Sequence, residues 1–215
     1  MNTAYEKMIN DLAPKKFGWK GNAWVAFLVV VILAGMYSYV QQLKSGLVIT
    51  GMRDYALWGI YISNFVFFVA VSLVGSLITA ILRLSGVHWS TPLTRIAEII
   101  AVAAIIMAGI TIIIDMGRPD RLLNLFLHGR LQSPILWDVI VITTYLVISL
   151  LLLYYPLLPD FSILKRHADH QGWLSKWYDR LSLNWSGNEK QVRIHAISLQ
   201  ALSIMIIPVA FAIHT

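Results

Sequence analysis

Cysteine is absent from all 215 residues. The chain can therefore form no disulfide and cannot hold an iron–sulfur cluster by itself, so any thiolate-ligated redox centre that it serves belongs to another subunit. Charge is scarce as well. Only 13% of residues are Asp, Glu, Lys or Arg, against about 25% in soluble domains, while 58% are apolar and the mean hydropathy is +0.68. A water-soluble globule is excluded. Zinc-ligand spacing, glycine-rich phosphate loops and nucleophile elbows are missing, as are internal repeats and low-complexity tracts. The alternating dyads of a membrane β-barrel are missing too, which leaves helices as the spanning element. No cleavable signal is expected, because the first apolar run (Gly21 to Leu43) is too long for a signal core and no small-x-small site follows it.

What is present is an all-α, integral-membrane helical bundle. Five apolar stretches, about 22–42, 54–84, 94–115, 135–156 and 194–215, each approach or exceed the roughly 20 residues that cross about 30 Å of hydrocarbon. The second carries no charge from Tyr55 to Leu82. Together they read as one transmembrane domain, 1–215. Its formal charge of +6 is a loop property, not a nucleic-acid signal. With a cytoplasmic N-terminus, the inner segments hold Lys7, Lys15, Lys16, Lys20, Arg83, Arg95, Lys165, Arg166, Lys176, Arg180, Lys190 and Arg193. The outer loops hold Lys44, Arg53, Arg118, Arg121 and Arg130. The bias satisfies the positive-inside rule and places the protein in a bacterial-type inner membrane. Three segments have interfacial character: about 3–14 (Tyr5, Met8, Ile9, Leu12), about 118–131 (Pro119, then Leu122, Leu123, Phe126, Leu127) and about 172–182 (Trp173, Leu174, Trp177, Tyr178, Leu181). All three also fit simple loop anchors. The chain ends at His214-Thr215 with no polar tail. It is expected to be either the first part of a longer bundle or a subunit that another membrane chain completes.

Acidic residues interrupt this hydrocarbon. Asp115 ends the third span and opens the run Asp115-Met-Gly-Arg118-Pro119-Asp120-Arg121, and Asp138 lies one turn into the fourth. A charge at mid-bilayer costs about 2.5–3.5 kcal/mol on insertion scales and less near the surface, so such groups face a cavity or a partner. Desolvation and the neighbouring arginines act on Asp115 in opposite senses. In the same topology Trp58, Tyr61 and Asn64 recur every third residue along one face at the outer end of the second span, and His214 reaches the same surface. An aromatic wall, an amide, carboxylates and an imidazole at one depth suit a quinol. Its ring stacks on aromatics, its isoprenoid tail stays in lipid, and its hydroxyls need proton acceptors.

Plainer readings stand beside that one. Trp58 and Tyr61 fit a headgroup belt, and Asn64 fits helix–helix glue. Asp115 could pair with Arg118. Asp120 could cap the short outer helix or pair with Arg121, and Asp138 could be a first-turn carboxylate. Glu98, near the inner end of the third span, is either neutralised by Arg95 or Arg83 or placed on an inward proton route. Ser72, Gly75, Ser76 and Thr79 form a small-residue ridge read as close helix packing. Haem b needs two histidines at matched depth. His88, His167, His170 and His195 are inner and His128 and His214 outer, so no haem is expected.

These residues resemble one family. Gly51-Met-Arg-Asp-Tyr-Ala-Leu-Trp-Gly-Ile-Tyr-Ile-Ser-Asn-Phe-Val-Phe-Phe, Gly75-Ser-Leu-Ile-Thr-Ala-Ile-Leu-Arg83, Arg95-Ile-Ala-Glu98, the Asp115–Arg121 run and Gln132-Ser-Pro-Ile-Leu-Trp-Asp138 are similar to the NrfD/PsrC membrane-anchor subunits of polysulfide-reductase-type and alternative-complex-III-type enzymes. The likeness covers residues 50–160 most strongly, and corresponds to the N-terminal half of such a protein. It implies electron exchange between menaquinone or ubiquinone and a periplasmic iron–sulfur subunit, beyond which a molybdoenzyme or multihaem cytochrome lies. It also implies a quinone pocket at the outer end of the first four helices, where the topology independently places Asp115, the candidate proton acceptor. Arg118, also a candidate for the quinone site, and Arg121 would orient that carboxylate or, with Asp120 and Arg130, dock the partner. Many relatives carry a histidine just before the glycine motif of the second span, where this chain has Leu73. Two other roles remain open at this stage: an anchor without a working quinone site, and a proton-translocating module using Glu98, Asp115 and Asp138.

Overall fold

The computed structural model describes residues 18–52, 59–86, 91–130, 132–167 and 173–213. The chain divides into two compact units, 1–51 and 52–215. The interfacial stretch at 3–14 lies outside the described residues.

The first unit contains α1, Trp19–Ser45, followed by a 3-10 turn at Leu47–Thr50. At about 1.5 Å per residue its 27 residues reach roughly 40 Å, long enough to span a bilayer. The helix is terminated by Gly46, whose φ of +78° favours glycine and whose N–H returns to the Gln42 carbonyl at 2.8 Å. Its apolar side chains, Phe27, Val30, Ile32 and Leu33 among them, are exposed, as lipid contact requires.

The second unit holds α2 (Ile60–Leu84), α3 (Thr91–Asp115), α4 (Leu122–Leu127), α5 (Pro134–His167), α6 (Trp173–Leu181) and α7 (Glu189–Ala212). With α1, the four long helices α2, α3, α5 and α7 make five that are long and apolar enough to cross a membrane. The expectation of an all-α membrane bundle holds. No strand occurs among the described residues.

Lipid offers no hydrophobic drive for helix association, so close approach and interhelical hydrogen bonds must hold the bundle together. The small-residue ridge of α2 provides both. A Cβ on Gly75 would stand 3.0 Å from the Ala97 carbonyl oxygen and 3.2 Å from the Ala101 Cβ, so the approach of α3 needs glycine there. Ser72 donates to the Ala101 carbonyl at 2.7 Å, and Thr79 donates to the Thr94 carbonyl at 3.4 Å. From α5 the fully buried Tyr145 inserts its hydroxyl between Ser72 (3.0 Å) and Ser76 (2.7 Å). Around this polar knot the apolar core is built from Val69, Leu73, Ala80, Ile105, Ala108, Ile148, Leu152, Ile206 and Ala210.

The apolar run at 135–156 continues as one helix to His167, through Pro156 and Pro159. Each proline removes an N–H and leaves unpaired the carbonyl four residues earlier. For Pro159 that carbonyl is Tyr155, and His195 of α7 fills the gap, its Nε2 lying 2.8 Å from the Tyr155 oxygen. The imidazole also stacks on Tyr155 (centroids 6.1 Å apart) and meets the Trp185 edge at 5.0 Å. The amphipathic α6 folds back on the extended end of α5. Tyr154 donates to the Leu181 carbonyl at 2.7 Å, Phe161 stacks on Tyr178, and Lys165 pairs with Asp179. Helix α7 starts at Glu189, ahead of the apolar run, because Asn188 caps it by accepting from the Gln191 N–H at 2.8 Å.

His195 serves a carbonyl that proline orphans, so its contribution should depend on that proline. In a double-mutant cycle, His195→Phe is expected to cost about 1 kcal/mol in the natural chain. The cost should shrink in a Pro159→Ala background, where the restored N–H at 159 can serve Tyr155. Thermal unfolding in detergent measures both.

Candidate functional site

The second unit has two polar ends. One brings together the end of α3, the short α4, the first turn of α5 and the last turn of α7; Asp115 belongs to it. The other carries Arg95, Asp160 and the α5–α7 contact at His195.

At the Asp115 end, α3 stops at Gly117, which takes φ +65°, and Asp115 is its last residue. The carboxylate is half-buried, and its Oδ1 is buried with no hydrogen-bond partner. Arg118 and Arg121 are exposed, and among the described residues no ion pair joins either of them to Asp115. Asp138 is exposed and opens on a cavity of about 180 Å³ lined by Phe65, Val66, Val69, Val141, Ile142 and Ile213. That cavity joins α2, α5 and the end of α7. Tyr61 is half-buried and Asn64 exposed on α2; neither lines it, and neither does Asp115. Trp58 and His214 lie outside the described residues, although His214 directly follows the cavity residue Ile213.

Beside α4 lies a wider bowl of about 470 Å³. Arg121, His128 and Arg130 line it together with Asn124, Ser133 and apolar Met116, Leu125 and Ile135. Arg118 and Asp120 do not line it, and Asp120 makes no capping hydrogen bond on the 3-10 turn Pro119–Arg121 or on α4. His128 is the residue here that sequence reasoning did not single out. Its signal was the spacing Arg121, Asn124, His128, which recurs on one face of the short helix.

At the opposite end, Glu98 sits about two turns inside α3 and is almost fully buried. Arg83 of α2 reaches inward to it, with 2.5 Å between Nη2 and Oε1. Arg95 pairs instead with Asp160 of α5. The choice between the two arginines, open in the sequence, falls to Arg83. Buried charges of this kind are tolerated only when paired. Tyr145, with its hydroxyl between two serines in mid-bundle, is a second polar group that the sequence did not mark. A third cavity, of about 170 Å³, adjoins His195, Trp185 and Tyr155. Among the described residues no three His, Asp or Glu side chains converge as a metal site would.

Comparison with known proteins gives a consistent answer. The family model described as "Polysulphide reductase, NrfD" matches residues 48–215. Over 129 residues, 60% of this chain and 30% of the relative, the sequence is 32% identical to a putative dimethyl sulfoxide reductase membrane subunit from Halobacterium salinarum. It is 28% identical over 134 residues (60% and 33%) to an Hdr-like menaquinol oxidoreductase integral membrane subunit from Archaeoglobus fulgidus. It is also 26% identical over 136 residues (63% and 32%) to the integral membrane subunit of a menaquinone reductase from Nitratidesulfovibrio vulgaris. The chain matches less than half the length of each of these curated relatives.

The Arg83–Glu98 pair makes a sharp expectation. Arg83→Met alone should destabilise the bundle by about 3–5 kcal/mol, because it strands a buried carboxylate, whereas the double change Arg83→Met/Glu98→Leu should be close to neutral. Unfolding midpoints of the two variants in detergent decide it.

Proposed function

Because the chain belongs to the NrfD family, we propose that it is the quinone-interacting membrane subunit of a respiratory oxidoreductase complex, with its quinone site at the Asp115 end. The observation that carries this reading is Asp115 Oδ1: a buried acceptor with no hydrogen-bond partner and no guanidinium against it. A structural carboxylate at that depth would be paired; a general base is left with a vacant lone pair for the proton it receives. The menaquinol and menaquinone named in two relatives support the choice of carrier.

In this reading quinol gives up two electrons and two protons as it becomes quinone. Asp115 accepts one proton from a hydroxyl, and Asp138, on its cavity of about 180 Å³, is the second carboxylate at the same surface. Tyr61 and Asn64 form the wall and polar contacts of the ring site, for which the sequence also offers Trp58 and His214 as candidates. The electrons pass to a periplasmic iron–sulfur subunit, a reading with which the lack of cysteine ligands in this sequence agrees. The cationic bowl of Arg121, His128 and Arg130, flanked by Arg118 and Asp120, is the docking surface for that subunit. A molybdoenzyme or multihaem cytochrome and further membrane subunits would complete the complex. Glu98 lies on the route by which protons reach the bundle from the cytoplasmic side.

A second reading, a structural anchor with no working quinone site, is favoured by one observation. Leu73, standing where many relatives carry a histidine, is packed into the apolar core at 3% exposure. The two separate on one variant. Asp115→Asn keeps the shape and removes the base, so quinol-dependent electron transfer by the purified, assembled complex should fall about 10²–10⁴-fold. Undiminished quinol turnover in that variant ends the catalytic assignment and leaves the anchor.

A further inference from the structure

Five buried polar atoms at the Arg95 end of the bundle lack hydrogen-bond partners: Arg83 Nη1, Arg95 Nε, both carboxylate oxygens of Glu98, and Ser149 Oγ. The Arg83–Glu98 contact brings opposite charges together without hydrogen-bond alignment, so it does not satisfy them. The large majority of buried side-chain polar atoms in proteins have a hydrogen-bond partner. A cluster of exceptions in one layer points to the usual remedy, ordered water.

Helical register puts these atoms in one column. Tyr145 meets Ser72, which bonds the Ala101 carbonyl, so Tyr145 and Ala101 share a depth. Glu98 lies three residues from Ala101 toward the Arg95 end, and Ser149 four residues from Tyr145 in the same direction. At about 1.5 Å per residue both are one turn deeper toward that end. The mouth of the column is the Arg95–Asp160 pair, whose side chains keep 38% and 34% exposure. Its inner terminus is the hydroxyl knot. There Ser72 donates to Ala101, Ser76 donates to the Leu73 carbonyl, and Tyr145 touches both serines. Three protons serve four contacts, so the pattern can reorient without breaking the packing.

We propose that a water-filled crevice enters the bundle at Arg95–Asp160, passes the Arg83–Glu98 pair and Ser149, and ends at the Tyr145 hydroxyl, admitting protons from one membrane surface to Glu98. Its use as a proton supply rests on the redox role proposed above; its water does not, and the two can fail separately. Asp160 and Arg95 gate the entrance, Glu98 takes up the proton, and water on Ser149 Oγ relays it toward Tyr145.

The cysteine-free chain permits a direct test in the intact complex. Ser149→Cys is nearly isosteric and places this chain's sole thiol inside the column. Sealed vesicles of either orientation are exposed to Ag⁺, which reaches thiols only through water, and the free thiol is then counted by maleimide alkylation of this chain after denaturation. Loss of the thiol is expected when Ag⁺ is applied to the surface bearing Arg95 and Asp160, and retention when it is applied to the other. Ile148→Cys, one residue away in the apolar core, should keep its thiol from both. Retention at 149 from both surfaces, or equal loss at 148, overturns the crevice. Thr79→Cys, buried one turn nearer the entrance at the depth of Thr94, carries the same outcomes should Ser149→Cys not assemble.

Discussion

A carboxylate and a guanidinium meet two turns inside α3, enclosed by packed helices, and neither can be left alone there. Pairing across α2 and α3 is the arrangement that lets both remain in the bundle, and it requires the two backbones to lie close together. Gly75 and the serines beside it permit that approach. The approach in turn presents Ser72 and Ser76 to Tyr145 of α5, so one polar constraint fixes the relation of three helices. Packing of Leu, Ile and Val, which lipid matches equally well, cannot do this. The same polar column keeps its unsatisfied atoms at one end of the bundle, and an unpaired carboxylate stands at the other.

Charge-poor runs of the right length made the five spanning helices legible, and the helix type followed from the demand that lipid places on backbone hydrogen bonds. The small-residue ridge was legible too, because Ser72, Gly75, Ser76 and Thr79 fall on one face and point to a close neighbour. What the sequence concealed depends on which helix is that neighbour. Tyr145 and Ser149 look like ordinary polar interruptions of an apolar run until α5 is set against α2 and α3. Glu98 had two arginines within reach, and only the position of Asp160 on α5, which takes Arg95, decides between them. Pro156 and Pro159 argue locally for a helix end. Both stay inside α5, and for Pro159 a distant residue makes good the loss: His195 answers the freed carbonyl of Tyr155, forty residues away in sequence.

The candidate site divides in the same way. Asp115 stood out in the sequence as an acid out of place, and the structure locates it at the end of α3 with a buried oxygen that nothing answers. The cavity at the same end is reached through Asp138 and Ile213, a meeting of α2, α5 and α7 that no spacing along the chain reveals. The arginines assigned to the outer loop also separate in space, Arg121 and Arg130 sharing a bowl with His128 while Arg118 stands apart. In the proposed reading, proton acceptance and partner docking therefore occupy neighbouring but distinct surfaces.

Whether a quinone ring rests at the Asp115 end is settled most directly by light-induced cross-linking of an azido-menaquinone to the intact complex, followed by mapping of the labelled peptides of this chain. The account predicts label on peptides that carry Tyr61 and Asn64, Asp115 or Asp138, competed away by unlabelled menaquinone. Label confined to the Arg95 end or to partner subunits, or label that menaquinone does not displace, would contradict it.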